Sequence, residues 1–122
     1  MFIIDCQVYP FQILVYFGQD KKPLFKELSK RLPKSCVKNL KKLEFKAGKS
    51  VMFTNGQTLL WLNEKPNSIS GLATLNHEIF HCACFILERV GFVYSESSDE
   101  AYAYLIEYLT KQIYNELNIN FS

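Results

Sequence analysis

From about Ser68 to Arg89 the chain is apolar nearly all the way round a helix. Leu72, Leu75, Ile79, Phe80, Ala83, Phe85, Ile86, Leu87 and, just beyond, Val90 fall on every side of it. A single apolar stripe marks a surface helix, whereas apolar residues all round mark one packed on several sides. The fold must therefore build layers around this segment. Ser68 or Ser70 offers its N-cap and Gly91 its stop.

Both histidines of the chain lie in that helix, with a glutamate directly after the first: His77-Glu78-Ile79-Phe80-His81. Residues four apart share one helix face, about 6 Å apart along the axis. Two imidazoles so placed hold two corners of a tetrahedral zinc site, and Glu78 flanks the metal as a general base. In a helix of this kind the three polar groups are expected to enter a core, where each left unpaired costs roughly 1–3 kcal/mol. A metal supplies the missing partners. A hydrogen-bonded structural histidine pair is the alternative.

A catalytic zinc commonly takes a third protein ligand plus water. Downstream carboxylates are Glu88, Glu96, Asp99, Glu100 and Glu107. Glu88 is too far along the same rigid helix. Glu100 opens the next helix, which a short turn at residues 91–95 folds back on the first, and that suits a carboxylate meeting two imidazoles. The same residue also closes a capping box, Ser97-Ser98-Asp99-Glu100, with Ser97 as N-cap. Glu96 and Asp99 stay open as alternative ligands.

The remaining sequence predicts an α+β fold: a small, mostly antiparallel sheet with an N-terminal helix, then two packed C-terminal helices. Residues 2–9 and 11–17 read as strands separated by Pro10. A short amphipathic helix is expected from Pro23 to about Leu32, and a strand near 42–46. Asn55-Gly56 between residues 50–54 and 57–63 predicts a hairpin whose two central residues take positive φ. The second long helix is expected from after Ser97 to about Leu117, with Glu107 and Lys111 paired on its wet side.

At 122 residues the chain is expected to form one domain, 1–122, with a sheet half at 1–66 and a two-helix, metal-site half at 67–122. Residues 1–50 hold eleven Lys/Arg against four Asp/Glu, a net of +7; residues 51–122 hold three against eight, a net of −5. No nucleic-acid motif accompanies the basic half, so a solvated helix face is preferred over a nucleic-acid partner. The acidic half is the one expected to hold the cation. No apolar run is long enough to span a membrane, and the N-terminal stretch lacks the basic start of a signal peptide. Cys6, Cys36, Cys82 and Cys84 are then expected to be free thiols in a reducing cytoplasm. Cys82 and Cys84 point away from the histidine face, which favours packing over ligation.

On His77-Glu78-Ile79-Phe80-His81 and Asp99-Glu100-Ala101, the chain resembles the zincin metallopeptidases, and among them the gluzincins, over roughly residues 57–110. More loosely, it is similar to small phage-encoded proteins carrying the same motif. The resemblance implies a minimal zincin-like fold with His77, His81 and Glu100 as zinc ligands and Glu78 as the base. It also implies an edge strand that aligns peptide, for which Thr58–Leu62 is the expected counterpart. Where gluzincins often carry an acidic residue bonded to the first histidine, this chain has Tyr104.

The function expected on these grounds is zinc-dependent hydrolysis of a peptide or protein substrate, with Glu78 taking the proton of the attacking water. With no third histidine, the oxyanion donor falls to a tyrosine; Tyr104, four residues after Glu100, is preferred over Tyr94 and Tyr102, although packing competes at each. A zinc-stabilised, non-catalytic binding or assembly module is the alternative. A metal-assisted hydrolase acting on a non-peptide amide or ester is a third.

Overall fold

Two runs without polar alternation, β2 (Gln12–Phe17) and β4 (Thr58–Leu62), form the centre of a four-stranded sheet. Strands covered on both faces read as continuous apolar stretches, and every residue of the second run is buried. In the computed structural model, which describes residues 1–45 and 47–119, these two strands pair in parallel, Ile13 beside Thr58 and Phe17 beside Leu62. β1 (Phe2–Asp5) flanks the first and β3 (Gly48–Met52) the second, both antiparallel, giving the order β1-β2-β4-β3.

The parallel pair needs a long crossover. It contains α1 (Lys21–Ser29), α2 (Lys34–Leu40) and β3. On that side of the sheet Leu14, Tyr16, Leu59 and Trp61 pack against Leu24, Leu28, Val37 and Leu40. Trp61 anchors the layer: its indole N–H donates to the Gly18 carbonyl at 2.8 Å, and Phe45 meets its ring edge-on at 4.7 Å. The opposite face, through Ile13, Val15, Leu60 and Leu62, packs on α3 (Ile69–Arg89) and α4 (Asp99–Glu116). The predicted α+β class with two C-terminal helices packed on a mostly antiparallel sheet is the observed one. The helices of the first half bring it to three layers.

Several local expectations are corrected. No strand forms over 43–45, and Lys46 lies outside the described residues. Val37, Leu40 and Leu43 are instead placed inward by α2 and the turn after it, at the three-residue spacing of a helix, whereas only Leu43 and Phe45 alternate as a strand would. α1 starts at Lys21, two residues before Pro23, because the Asp20 side chain accepts the Lys22 N–H. β1 stops at Asp5, since Gln7 turns the chain with φ 58°. The Asn-Gly hairpin forms with a different turn. The Gly56 N–H bonds the Phe53 carbonyl at 2.9 Å and only Gly56 takes positive φ, so the loop is three residues long with glycine in the left-handed position. Thr58–Leu62, expected at the edge, is interior; β3 is the outer strand.

The termini of the long helices follow their sequence signals. Ser68 Oγ accepts the Gly71 N–H at 3.0 Å. At the other end Gly91 N–H bonds Glu88 O and Phe92 N–H bonds Leu87 O, a Schellman closure with Gly91 at φ 99°. α4 ends the same way on Asn118 at φ 54°. Among the described residues no helix is long and apolar enough to cross a membrane. Nothing stands within 4 Å of where a Cβ on Gly91 would lie. Gly91→Ala is therefore expected to cost backbone strain alone, about 1 kcal/mol, read as a lowered urea midpoint.

Candidate metal centre

Packing on the sheet fixes how α3 is rotated. Leu75, Ile79, Cys82, Ala83 and Ile86 are all fully buried. At 100° per residue, His77 and His81 then fall on the opposite side from Ile79, and Glu78 on the flank facing β3. The expectation that all three polar groups enter a core holds for Glu78 alone, which is 6% exposed. His77 is exposed and His81 half-buried, on the outward ridge of the helix.

The imidazoles converge. Their Nε2 atoms lie 3.0 Å apart, one as N–H donor to the other, with ring planes at 74°. Two nitrogens on one tetrahedral zinc, each about 2.05 Å from the metal, stand roughly 3.4 Å apart. A few tenths of an ångström of opening thus converts the pair into a chelate, and the donors present fit two positions of such a site. Phe85 stacks beside His81 at 6.3 Å and Phe80 stands 6.1 Å from it, so aromatic rings restrict the second imidazole.

Glu78 is held by a residue with no motif to announce it. Ser50, 6% exposed on β3, directs its hydroxyl at Glu78 Oε1 (2.8 Å) and at the Glu78 carbonyl (3.1 Å). Inward-facing serine in a hairpin arm is visible in sequence only once strand register is known. Close approach of helix and strand here depends on Gly48, where an added Cβ would stand 3.2 Å from both Glu78 Cγ and Thr74 Cγ2. A depression of about 180 Å³, lined in part by Ala47, Asn63, Ser70 and Thr74, opens along this flank one helical turn from Glu78.

The third-ligand candidates stand elsewhere. Tyr102 lies by Phe92, its OH 3.5 Å from that carbonyl, and Tyr114 OH donates to Asn76 Oδ1 at 2.8 Å, so α4 runs antiparallel to α3. At 1.5 Å per residue Glu100 sits about 21 Å along α4 from Tyr114, and His81 about 7.5 Å along α3 from Asn76. The two levels differ by roughly 13 Å. Glu96, Asp99 and Glu100 are all exposed, and Glu107 is engaged with Lys111 at 3.1 Å. Among the described residues no three His, Cys, Asp or Glu side chains converge on one point.

The predicted capping box is not formed either. Helix α4 begins after Ser98, whose hydroxyl donates to the Val93 carbonyl at 2.6 Å and accepts the Ser95 N–H at 2.9 Å, while the Ser97 hydroxyl pairs with that of Ser95. Serine hydroxyls serve the connecting loop in place of the helix end. Tyr104 is 66% exposed and shares a face with Tyr108, whose OH donates to the Asp5 carbonyl; that face looks towards β1 and solvent. Tyr94 meets Tyr102 edge-on at 5.0 Å.

All four cysteines are free thiols. Cys82 is buried beside Ser50 and Glu78. Burial, opposed by the Ser50 hydroxyl and reinforced by Glu78, pushes its thiol up to about 12. Such a group packs and does not react. No family model, curated protein or solved structure matches this chain.

Two expectations follow from this geometry. Ser50→Ala removes the donor facing a buried carboxylate and should cost about 1–3 kcal/mol in urea unfolding. Cys6, raised to about 12 by burial and then by Asp5, ionises near 8.5 in the unfolded chain. Its contribution is complete below the lower value and lost as pH rises towards the upper one. Urea midpoints should therefore fall between about pH 8 and about pH 10, and fall less in Cys6→Ala.

Proposed function

We propose that the chain is a small zinc-dependent hydrolase of peptide bonds, using His77 and His81 as ligands and Glu78 as general base. The observation that carries this reading is the convergence of two imidazoles beside a carboxylate that is buried, oriented by Ser50 and set against an outer strand. A zinc ion held there would supply electrophilic polarisation of a carbonyl and bring the pKa of bound water to about 7. Glu78 would accept the proton of the attacking water and return it to the leaving amine. Its hydrogen bond to Ser50 keeps the carboxylate from rotating away, and the aromatic neighbours of His81 limit that ring. The outer edge of β3 offers main-chain donors and acceptors to an extended peptide, and the adjoining depression receives side chains. Glu100, the third ligand by resemblance, would need α4 to slide by roughly two turns to reach the imidazoles.

A second reading is a zinc-stabilised binding or assembly module. It is favoured by the outward-facing position of the imidazole pair and by the missing convergence of a third protein donor among the described residues.

Glu78→Gln separates the two, because the amide keeps the bond to Ser50 while losing the base. The hydrolase loses about 10²–10⁴ in turnover of a peptide library with zinc uptake retained. Unchanged behaviour of this variant, with His77→Ala or His81→Ala losing zinc, would assign the module.

A further inference from the structure

The outer surface of α3 is unusual for a chain that is 21% charged. Between Lys65 and Glu88 the only charged side chain is Glu78, and that one is buried. Over that stretch the helix shows Ile69, Ser70, Ala73, Asn76, His77 and Phe80 to solvent, with Ile69 89% and Phe80 46% exposed, and exposed charge returns only at its last turn with Glu88 and Arg89. Depletion of charge together with exposed aromatic surface is the composition of an interface centre.

We propose that two copies of this chain pack α3 against α3 across a twofold axis and share one zinc ion, each giving His77 and His81. The proposal rests on the metal-binding part of the function above and adds its partner. Each chain presents two convergent nitrogens, and a closed tetrahedral site takes four donors. The segments outside the described residues, Lys46 and 120–122, contain no His, Cys, Asp or Glu, so the sequence offers no side-chain donor of those types beyond those already placed. A twofold axis through the metal completes the set with no further residue. Electrostatics select a second copy over a charged partner. In an isologous contact residues near the twofold axis meet their own copies, so a charge there meets its like. This ridge carries none over about five helical turns. Four imidazoles leave no place for water, so the paired chain is the resting form and hydrolysis belongs to the separated one.

The test is sedimentation equilibrium of the full chain, titrated with zinc from none to one equivalent, with metal content measured on the same samples. Sedimenting mass should double with a break at half an equivalent and return on adding chelator. His77→Ala and His81→Ala should each abolish the doubling, with folding checked by circular dichroism. Phe80→Glu, which sets two carboxylates face to face, should weaken association about tenfold or more while zinc is still taken up. One zinc per chain at unchanged mass overturns the pairing and leaves the hydrolase reading standing. Doubling that survives chelator also overturns the shared ion. Absence of zinc uptake overturns both.

Discussion

Everything at the candidate site follows from how α3 sits on the sheet. Leu75, Ile79, Cys82, Ala83 and Ile86 meet Ile13, Val15, Leu60 and Leu62 in one core, and this contact leaves the helix a single rotation. A turn of 100° either way would bring His77 or Glu78 into the apolar layer and carry Ile79 into water. Burial of one large aliphatic side chain is worth roughly 1.5–3 kcal/mol, so a stripe of them outweighs any preference of the imidazoles. The histidines therefore face outward because the aliphatic stripe faces inward. Glu78, one residue along, falls on the boundary between these two sides and meets β3.

That boundary position gives the carboxylate its special surroundings. A glutamate is almost never fully buried without a partner, and here the partner is Ser50, supplied by a strand 28 residues earlier. Gly48 lets the two elements approach closely enough for the bond to form. Among the described residues the carboxylate is held by the neutral Ser50 hydroxyl and forms no ion pair. A single hydroxyl donor takes up one of the carboxyl group's acceptor positions and leaves the other oxygen unengaged by Ser50.

Much of this was legible in the sequence. The all-round apolar helix, its Ser68 cap and its Gly91 stop were readable because each depends on neighbours within a few residues. The same is true of the i,i+4 imidazole pair. The features that were not legible depend on distant partners. Ser50 requires the register of β3 against α3. The interior position of Thr58–Leu62 requires knowing that a crossover returns the chain beside β2, although its unbroken apolar run hints at cover on both faces. Residues 34–45 mix a helical spacing, Val37, Leu40 and Leu43, with a strand-like alternation, Leu43 and Phe45, and packing on the Trp61 layer decides between them. Glu100 stands apart from the imidazoles for a simpler geometric reason. α3 continues eight residues past His81, which moves the start of α4 well beyond the imidazoles.

The parallel pairing of β2 with β4 bears on how the molecule comes into being. Phe17 and Leu62 are adjacent in space yet separated by 45 positions in the chain, so the central ladder cannot close until synthesis has passed Leu62. Until then the apolar flank of β2 lies open beside β1, an unfinished two-stranded ribbon too small to stand by itself in water. Non-local pairings of this kind slow the search for the native state and lengthen exposure to sticking. The lysines of α1 and α2 lie between the two interior strands in the sequence and so emerge in this interval, and like charge of this kind opposes the approach of one chain to another.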